Sequence, residues 1–247
     1  MKKRGQSPFF VRPSPNHDAR PPGQPVDILL LHYTDMASAE AALARMTDAA
    51  ARVSAHYCID EDGTVYRLVP ENRRAWHAGL SYWAGARDIN ARSIGIELVN
   101  PGHSCGYRPF PDAQMRALAE LSRGILARHP IPAHRVLGHS DVAPARKIDP
   151  GELFDWQRLA RGGIGLWPEP LGFADPGPAR TTGDVAHAQS RLARFGYDVT
   201  VSGILDRSTT QALSAFQRHF RPFCFDGRPD GETRRLLAAL IAASPQL

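Results

Sequence analysis

Between Gly162 and Pro178 the chain crowds Gly162, Gly163, Gly165, Pro168, Pro170, Gly172, Pro176, Gly177 and Pro178 into one stretch. Proline fixes φ and lacks a backbone donor, and glycine loses the most conformational freedom on ordering, so no helix or strand persists through such a run. The chain must fold as one part before this stretch and another after it. Its 247 residues leave room for both, since compact domains commonly hold about 100 to 200 residues. The division this predicts is an extended N-terminal arm over 1–25, a main domain over 26–161, a linker over 162–181 and a small domain over 182–247.

Composition narrows the class. Hydrophobic residues make up 43% and charged residues 22% of the chain, close to the averages of folded soluble domains. The formal charge of +5 favours an anionic partner. Arg52, Arg73, Arg87, Arg135 and Arg194 are scattered without interleaved aromatics or a reading motif, so nucleic acid is not the partner expected. Cys58, Cys105 and Cys224 form no CxxC pair, which argues against a disulfide framework or a zinc knuckle. No apolar run approaches the roughly 18 to 20 residues that span a bilayer, so no membrane insertion is expected. Lys2, Lys3 and Arg4 lead into Pro8, Pro13 and Pro15 rather than into an apolar signal core. As written, the chain is expected in the cytoplasm, as a monomer; the periplasm or cell envelope is the alternative if a leader is missing.

The apolar run Val26–Leu31 is too short for a helix and is preceded by Gly23 and Pro25, so it predicts a buried strand ending at His32. Ser38 can cap a helix over Ala39–Val53. The β-prone runs His56–Ile59 and Thr64–Leu68, separated by Glu61, Asp62 and Gly63, predict a hairpin. Ser93–Val99 alternates as a strand with one buried face would. Pro111–His129 carries Met115, Leu118, Leu121 and Ile125 at helical spacing, and Arg135–Gly138 is a brief strand. Strands interspersed with helices predict an α/β fold, a mixed central sheet flanked by helices. Beyond the linker, a helix over Val185–Phe195 precedes a pattern that occurs twice, Gly203, Asp206, Thr209 and Gly227, Asp230, Thr233. Each aspartate is placed to cap an apolar helix, so three short helices are predicted there.

The segment from Gly138 to Gly151, GHSDVAPARKIDPG, concentrates an imidazole, an ammonium and a carboxylate where proline and glycine oppose regular structure. In an extended conformation Lys147 and Asp149, two apart, point the same way. Asp149 can then bind a metal while Lys147 faces the metal's substrate, and His139 can ligate from the other end of the loop. A catalytic zinc takes three protein ligands and keeps one position open. His32 offers the third, although a hydrogen-bonded residue at a strand end would look the same in sequence. Glu97 sits between Ile96 and Leu98 in a strand, where burial without a partner is costly. It is either a solvent-facing glutamate or a carboxylate that moves protons beside a metal.

The strings ILLLHYT, VSAHYCIDEDGTVYRLV, AWHAGLSYW, SIGIELVN and GHSDVAPARKIDPG, in this order, resemble the zinc-dependent N-acetylmuramoyl-L-alanine amidases of the Amidase_2 family, relatives of the peptidoglycan recognition proteins. The likeness runs from about Ser14 to Trp156. It implies one Zn2+ held by His32, His139 and Asp149, Glu97 as catalytic acid/base, and Lys147 stabilising the oxyanion as water attacks the lactyl carbonyl. It also implies substrate contacts at Trp76 and His77, with Asn90 and Arg87 where an arm of the peptide is held; His77 and His56 are equally explained as packing residues. The repeat over about Thr182–Leu240 resembles a peptidoglycan-binding domain of type 1. The partners implied are peptidoglycan or muropeptides, anhydromuropeptides included. Two other readings stay open: a recognition protein that binds without cutting, and a zinc peptidase that cuts within the stem peptide. A non-catalytic relative would be expected to lack a ligand or the acid/base, and here all five residues are present.

Overall fold

The computed structural model describes residues 9–168 and 182–244. Parts of the arm predicted over 1–25, of the linker over 162–181 and of the domain over 182–247 lie outside the described residues. The chain gathers into two compact units, Met1–Gly79 with Asn90–Ile131 and Leu80–Ile89 with Pro132–Leu247.

The first unit is a mixed α/β structure. Its strands are β1 (Phe10–Val11), β2 (His17–Ala19), β3 (Ile28–Tyr33), β4 (Tyr57–Ile59), β5 (Val65–Arg67), β6 (Arg73–Ala75) and β7 (Ser93–Leu98). The main sheet runs in the order β1-β5-β4-β7-β3, while β2 and β6 pair separately. β7 is parallel to both β3 and β4, and β4 and β5 form the antiparallel hairpin. Every residue of β3 is buried, as a strand enclosed on both faces of a parallel sheet requires, and that is why it reads as an unbroken apolar run. It extends one residue beyond the predicted end at His32, so both His32 and Tyr33 lie inside the sheet. β7 is buried on both faces apart from the half-buried Glu97, not on one face as its alternation predicts.

Helix α1 (Ala39–Thr47) begins where Ser38 Oγ accepts from the Ala41 amide and buries Ala42, Leu43 and Met46 against Cys58, Leu68, Ala75 and Val99. It stops six residues short of Val53 because the Asp48 side chain accepts from the Ala50 amide and starts a separate 3-10 turn over Ala49–Ala51. Single helical turns, α2 (Ile89–Arg92) and α3 (Gly102–Cys105), flank β7 in sequence. Helix α4 (Asp112–Arg128) buries Met115, Leu118, Leu121 and Ile125. Its Gln114 donates to the carbonyls of Ile59 and Val99, each at 2.9 Å, fixing the helix to the ends of β4 and β7.

In the second unit, strand β8 (Val136–Gly138) runs straight into a helical turn, α5 (His139–Val142), in a loop whose sequence argues against regular structure. The Gly138 amide donates to Asp141 Oδ2 at 2.8 Å, and this cap makes the turn possible. Helix α6 (Trp156–Arg161) follows, capped by Asp155. Then come α7 (Thr182–Phe195), α8 (Arg207–Phe220) and α9 (Gly231–Ala242). Asp206 caps α8 through the Thr209 amide and Asp230 caps α9 through the Thr233 amide, as the repeated pattern predicts. Each repeat closes on a buried glutamine of the helix before it. Gln189 accepts from the Gly203 amide and donates to Thr209; Gln217 does the same with Gly227 and Thr233. No helix among the described residues is long and apolar enough to cross a membrane.

Candidate active site

The parallel pairing of β3 and β7 sets His32 directly beside Glu97, and laterally paired residues of a sheet project from the same face. His32 is buried, and its Nε2 lies 3.0 Å from Nδ1 of His77, the two rings meeting edge to face. The other nitrogen of His77 lies 3.2 Å from Ser93 Oγ, so an imidazole pair and a hydroxyl form one chain. Gly95 makes room for it: a Cβ there would sit 2.6 Å from the His77 ring.

His56 lies edge to face with His77 on its other side. Its Nδ1 accepts from the Gly95 amide at 2.9 Å and its Nε2 sits 2.9 Å from Arg20 and 3.1 Å from the Arg73 carbonyl. Burial, reinforced by the Arg20 charge, lowers its pKa from 6.5 to about 3, so this imidazole is neutral near pH 7. Its bonds make it a brace within the sheet.

In the second unit, His139 opens α5 and Asp149 closes the same loop. His139 Nδ1 is 3.1 Å from Asp149 Oδ2, both side chains are buried, and the Ser140 amide donates to the Asp149 carbonyl at 2.9 Å. Arg146 reaches His139 Nε2 at 3.4 Å and donates to the Leu80 carbonyl at 2.7 Å. Its string was conspicuous in the sequence; its contact with the imidazole was not. Lys147 is half-buried, and its amide donates to the Ala143 carbonyl.

His32, in the first unit, and His139 and Asp149, in the second, are buried residues of the types that could hold a metal ion. Two ligands on a tetrahedral zinc stand roughly 3.4 Å apart, from bond lengths of about 2.1 Å. His139 Nδ1 and Asp149 Oδ2, at 3.1 Å, stand near that spacing, and two imidazoles with one carboxylate suit a zinc that keeps an open position.

The remaining candidates have structural partners. Trp76 donates through its indole to Asp18 at 3.2 Å, and the Arg52 guanidinium lies over its ring. Asn90 Oδ1 accepts from the amides of His77 and Ala78, at 3.0 and 2.8 Å, and so holds the His77 backbone. Arg87 is exposed, pairs with Asp198 at 3.4 Å and lies over the Tyr82 ring.

Residues 22–152 match the family model for N-acetylmuramoyl-L-alanine amidase. The N-acetylmuramoyl-L-alanine amidase AmiD of Escherichia coli is 41% identical over 231 residues, covering 87% of this chain and 82% of AmiD. This chain belongs to the N-acetylmuramoyl-L-alanine amidase family. As an amidase of this family it is a hydrolase of the bond between the lactyl group of N-acetylmuramic acid and L-alanine. A second match, to a putative peptidoglycan binding domain, covers residues 181–237. The 1,6-anhydro-N-acetylmuramyl-L-alanine amidase AmpD of Haemophilus influenzae is 36% identical over 163 residues, 59% of this amidase and 86% of AmpD. Among solved structures, E. coli AmiD in complex with anhydro-N-acetylmuramic acid-L-Ala-D-gamma-Glu-L-Lys superposes with a TM-score of 0.81 at 35% identity, covering 100% of this chain and 95% of that one. AmpDh3 of Pseudomonas aeruginosa with anhydromuramic pentapeptide gives 0.73 at 30% identity, over 98% and 96%.

Proposed function

We propose that this amidase acts on small muropeptides of the 1,6-anhydro type, at a zinc held by His32, His139 and Asp149, with Glu97 as acid/base and Lys147 as oxyanion partner. The observation that carries the zinc assignment is the buried pair His139 and Asp149, 3.1 Å apart in one loop, which with the buried imidazole of His32 makes the donor set of a zinc site. The substrate class is supported by the likeness, over nearly the whole chain, to two amidases solved with anhydromuramoyl peptides.

When bound, zinc supplies Lewis acidity, polarising the scissile carbonyl and lowering the pKa of water beside it. The protein's own groups do the rest. Glu97, paired in register with His32, takes a proton from water as it attacks and returns it to the departing α-amine of L-alanine. The Lys147 ammonium opposes the negative charge that builds on the carbonyl oxygen. His77 donates no group to substrate in this scheme. Its ring holds His32 from behind and is itself bonded to Ser93, in the manner of second-layer partners of metal-bound imidazoles. The C-terminal helices contribute binding to glycan or peptide, and the amidase works as a monomer.

The test is digestion of a 1,6-anhydro-N-acetylmuramoyl tripeptide by the full chain, read by mass spectrometry. Release of the intact peptide beginning at L-alanine is expected, lost on chelation and restored by one zinc per chain. Cleavage between two residues of the peptide would overturn the assigned bond. Faster release from intact sacculi than from the soluble fragment would overturn the substrate class.

A further inference from the structure

Asp141 lies two residues beyond His139, and its side chain is wholly buried. Its Oδ1 accepts from the Tyr197 hydroxyl at 2.6 Å, and its Oδ2 accepts from the Gly138 amide and from His219 Nδ1, each at 2.8 Å. Two of the three donors come from positions 56 and 78 residues further along the chain, on the C-terminal helical part. A buried carboxylate is tolerated only while such donors surround it. The conformation of α5, which begins with His139, is therefore coupled to helices that the family likeness credits only with holding peptidoglycan.

The donors are themselves held in place. Gly196, at φ +139°, lies so close under Trp83 that a Cβ would sit 2.5 Å from the indole. Trp83 packs edge to face on Phe195 and Tyr197, and the Ala84 amide donates to the Gly196 carbonyl at 2.8 Å. His219 is stacked between Trp156, at 3.7 Å between ring centres, and Phe220, at 3.9 Å. Neither donor is on a freely swinging side chain. A tethering domain needs no such bonds to the segment that bears two metal ligands.

We infer that Tyr197 and His219 are positioning residues for the metal-bearing loop: through Asp141 they hold α5, and with it His139, in the orientation that lets His139 and Asp149 share one ion. This rests on the zinc assignment made above, and it gives the C-terminal helices a second task besides binding wall fragments.

The test uses full-length protein. Tyr197→Phe removes one hydroxyl and keeps the ring on Trp83. His219→Ala removes the other donor, and His219→Asn restores a donor near the Nδ1 position. Thr233→Val disturbs the same helical part through Asp230 and Gln217 without touching Asp141. Zinc Kd is measured by competition with a chelating dye, alongside kcat and KM on the anhydromuramoyl tripeptide. Tyr197→Phe and His219→Ala should each weaken zinc by about tenfold, the lower end of what second-layer changes cost, and should lower kcat more than they raise KM. His219→Asn should recover most of the loss, and Thr233→Val should lower Tm with zinc Kd unchanged. Zinc affinity within twofold of wild type in both Tyr197→Phe and His219→Ala overturns the inference. So does an equal loss in Thr233→Val at a matched Tm. A wild-type chain that binds no zinc fails the metal assignment itself, a result distinct from either.

Discussion

Glu97 stands half-buried between the fully buried Ile96 and Leu98, where a carboxylate has no packing purpose. Replacing it with glutamine keeps shape and polarity and removes the proton-accepting capacity. Glu97→Gln should retain its full complement of zinc by elemental analysis while kcat falls about 10²- to 10⁴-fold, the usual worth of a positioned acid/base; wild-type turnover would end that assignment. His56 yields a prediction of a different kind. Its folded pKa of about 3 lies below the unfolded value of 6.5, so below pH 6.5 the unfolded chain binds a proton that the folded chain refuses. Its contribution to stability is complete above pH 6.5 and is lost as pH falls toward 3. Glu71 acts lower on the scale. Burial alone would raise its pKa, but hydrogen bonds from Arg128, His129 and Tyr57 bring it from 4.5 down to about 2. The window between pH 6.5 and 4.5 therefore isolates the histidine. His56→Asn should be less stable than wild type at pH 7, and the gap in urea midpoint should narrow steadily down to pH 4.5; a constant gap would mean the imidazole titrates normally. His32 and Glu97 were legible because each is a polar residue set in an apolar strand. The His77–Ser93 relay was not, because only the space above Gly95 brings that ring behind His32.

Among the elements, the repeated Gly-Asp-Thr pattern marks two helix starts that are chemically alike and energetically different. Asp206 is exposed and caps α8 alone, whereas Asp230 caps α9 and also accepts from Arg221, a guanidinium with 7% of its side chain exposed. Asp230→Ala leaves that buried cation the Cys224 carbonyl, Glu232 and the more distant Asp226. It should cost about 2 kcal/mol, clearly more than Asp206→Ala. Urea unfolding of the two variants decides it: equal midpoint shifts would show that Arg221 gives Asp230 no extra weight. These caps were readable because an N-cap is a local device, written within four residues. β3, β7 and α4 were readable because burial on one or both faces imposes a long apolar signature. β2 and β6, three residues each and composed of His-Asp-Ala and Arg-Arg-Ala, were not: their strand state comes from pairing with each other across more than fifty residues, which no local preference records. The turn α5 was likewise hidden, since the Asp141 that caps it owes its other bonds to Tyr197 and His219.

At the scale of the molecule, the Gly/Pro stretch that divides the sequence does not divide the contacts, because Pro132–Ile164 and the helices after residue 181 fall within one compact unit. The rings of Phe195, Tyr197, Phe216 and Phe220 pack together in it, Phe216 fully buried among them. If the unit is cooperative, a cavity in this cluster must weaken the metal-bearing loop as well as the helices. Phe216→Ala should cost about 3 to 5 kcal/mol. Native-state hydrogen exchange on metal-free protein is the suitable probe, since bound zinc would add its own protection to the loop. The amides of Ser140 and Ala143, which donate to the Asp149 and His139 carbonyls, should lose protection together with those of α8, by about a hundredfold or more, the rate equivalent of that cost. Should α7 to α9 lose protection while Ser140 and Ala143 keep theirs, the helices fold as a separate body and the loop holds its shape without them. Protection lost in step means instead that anything stiffening the helical cluster, a bound wall fragment included, also stiffens the segment that presents His139 and Asp149.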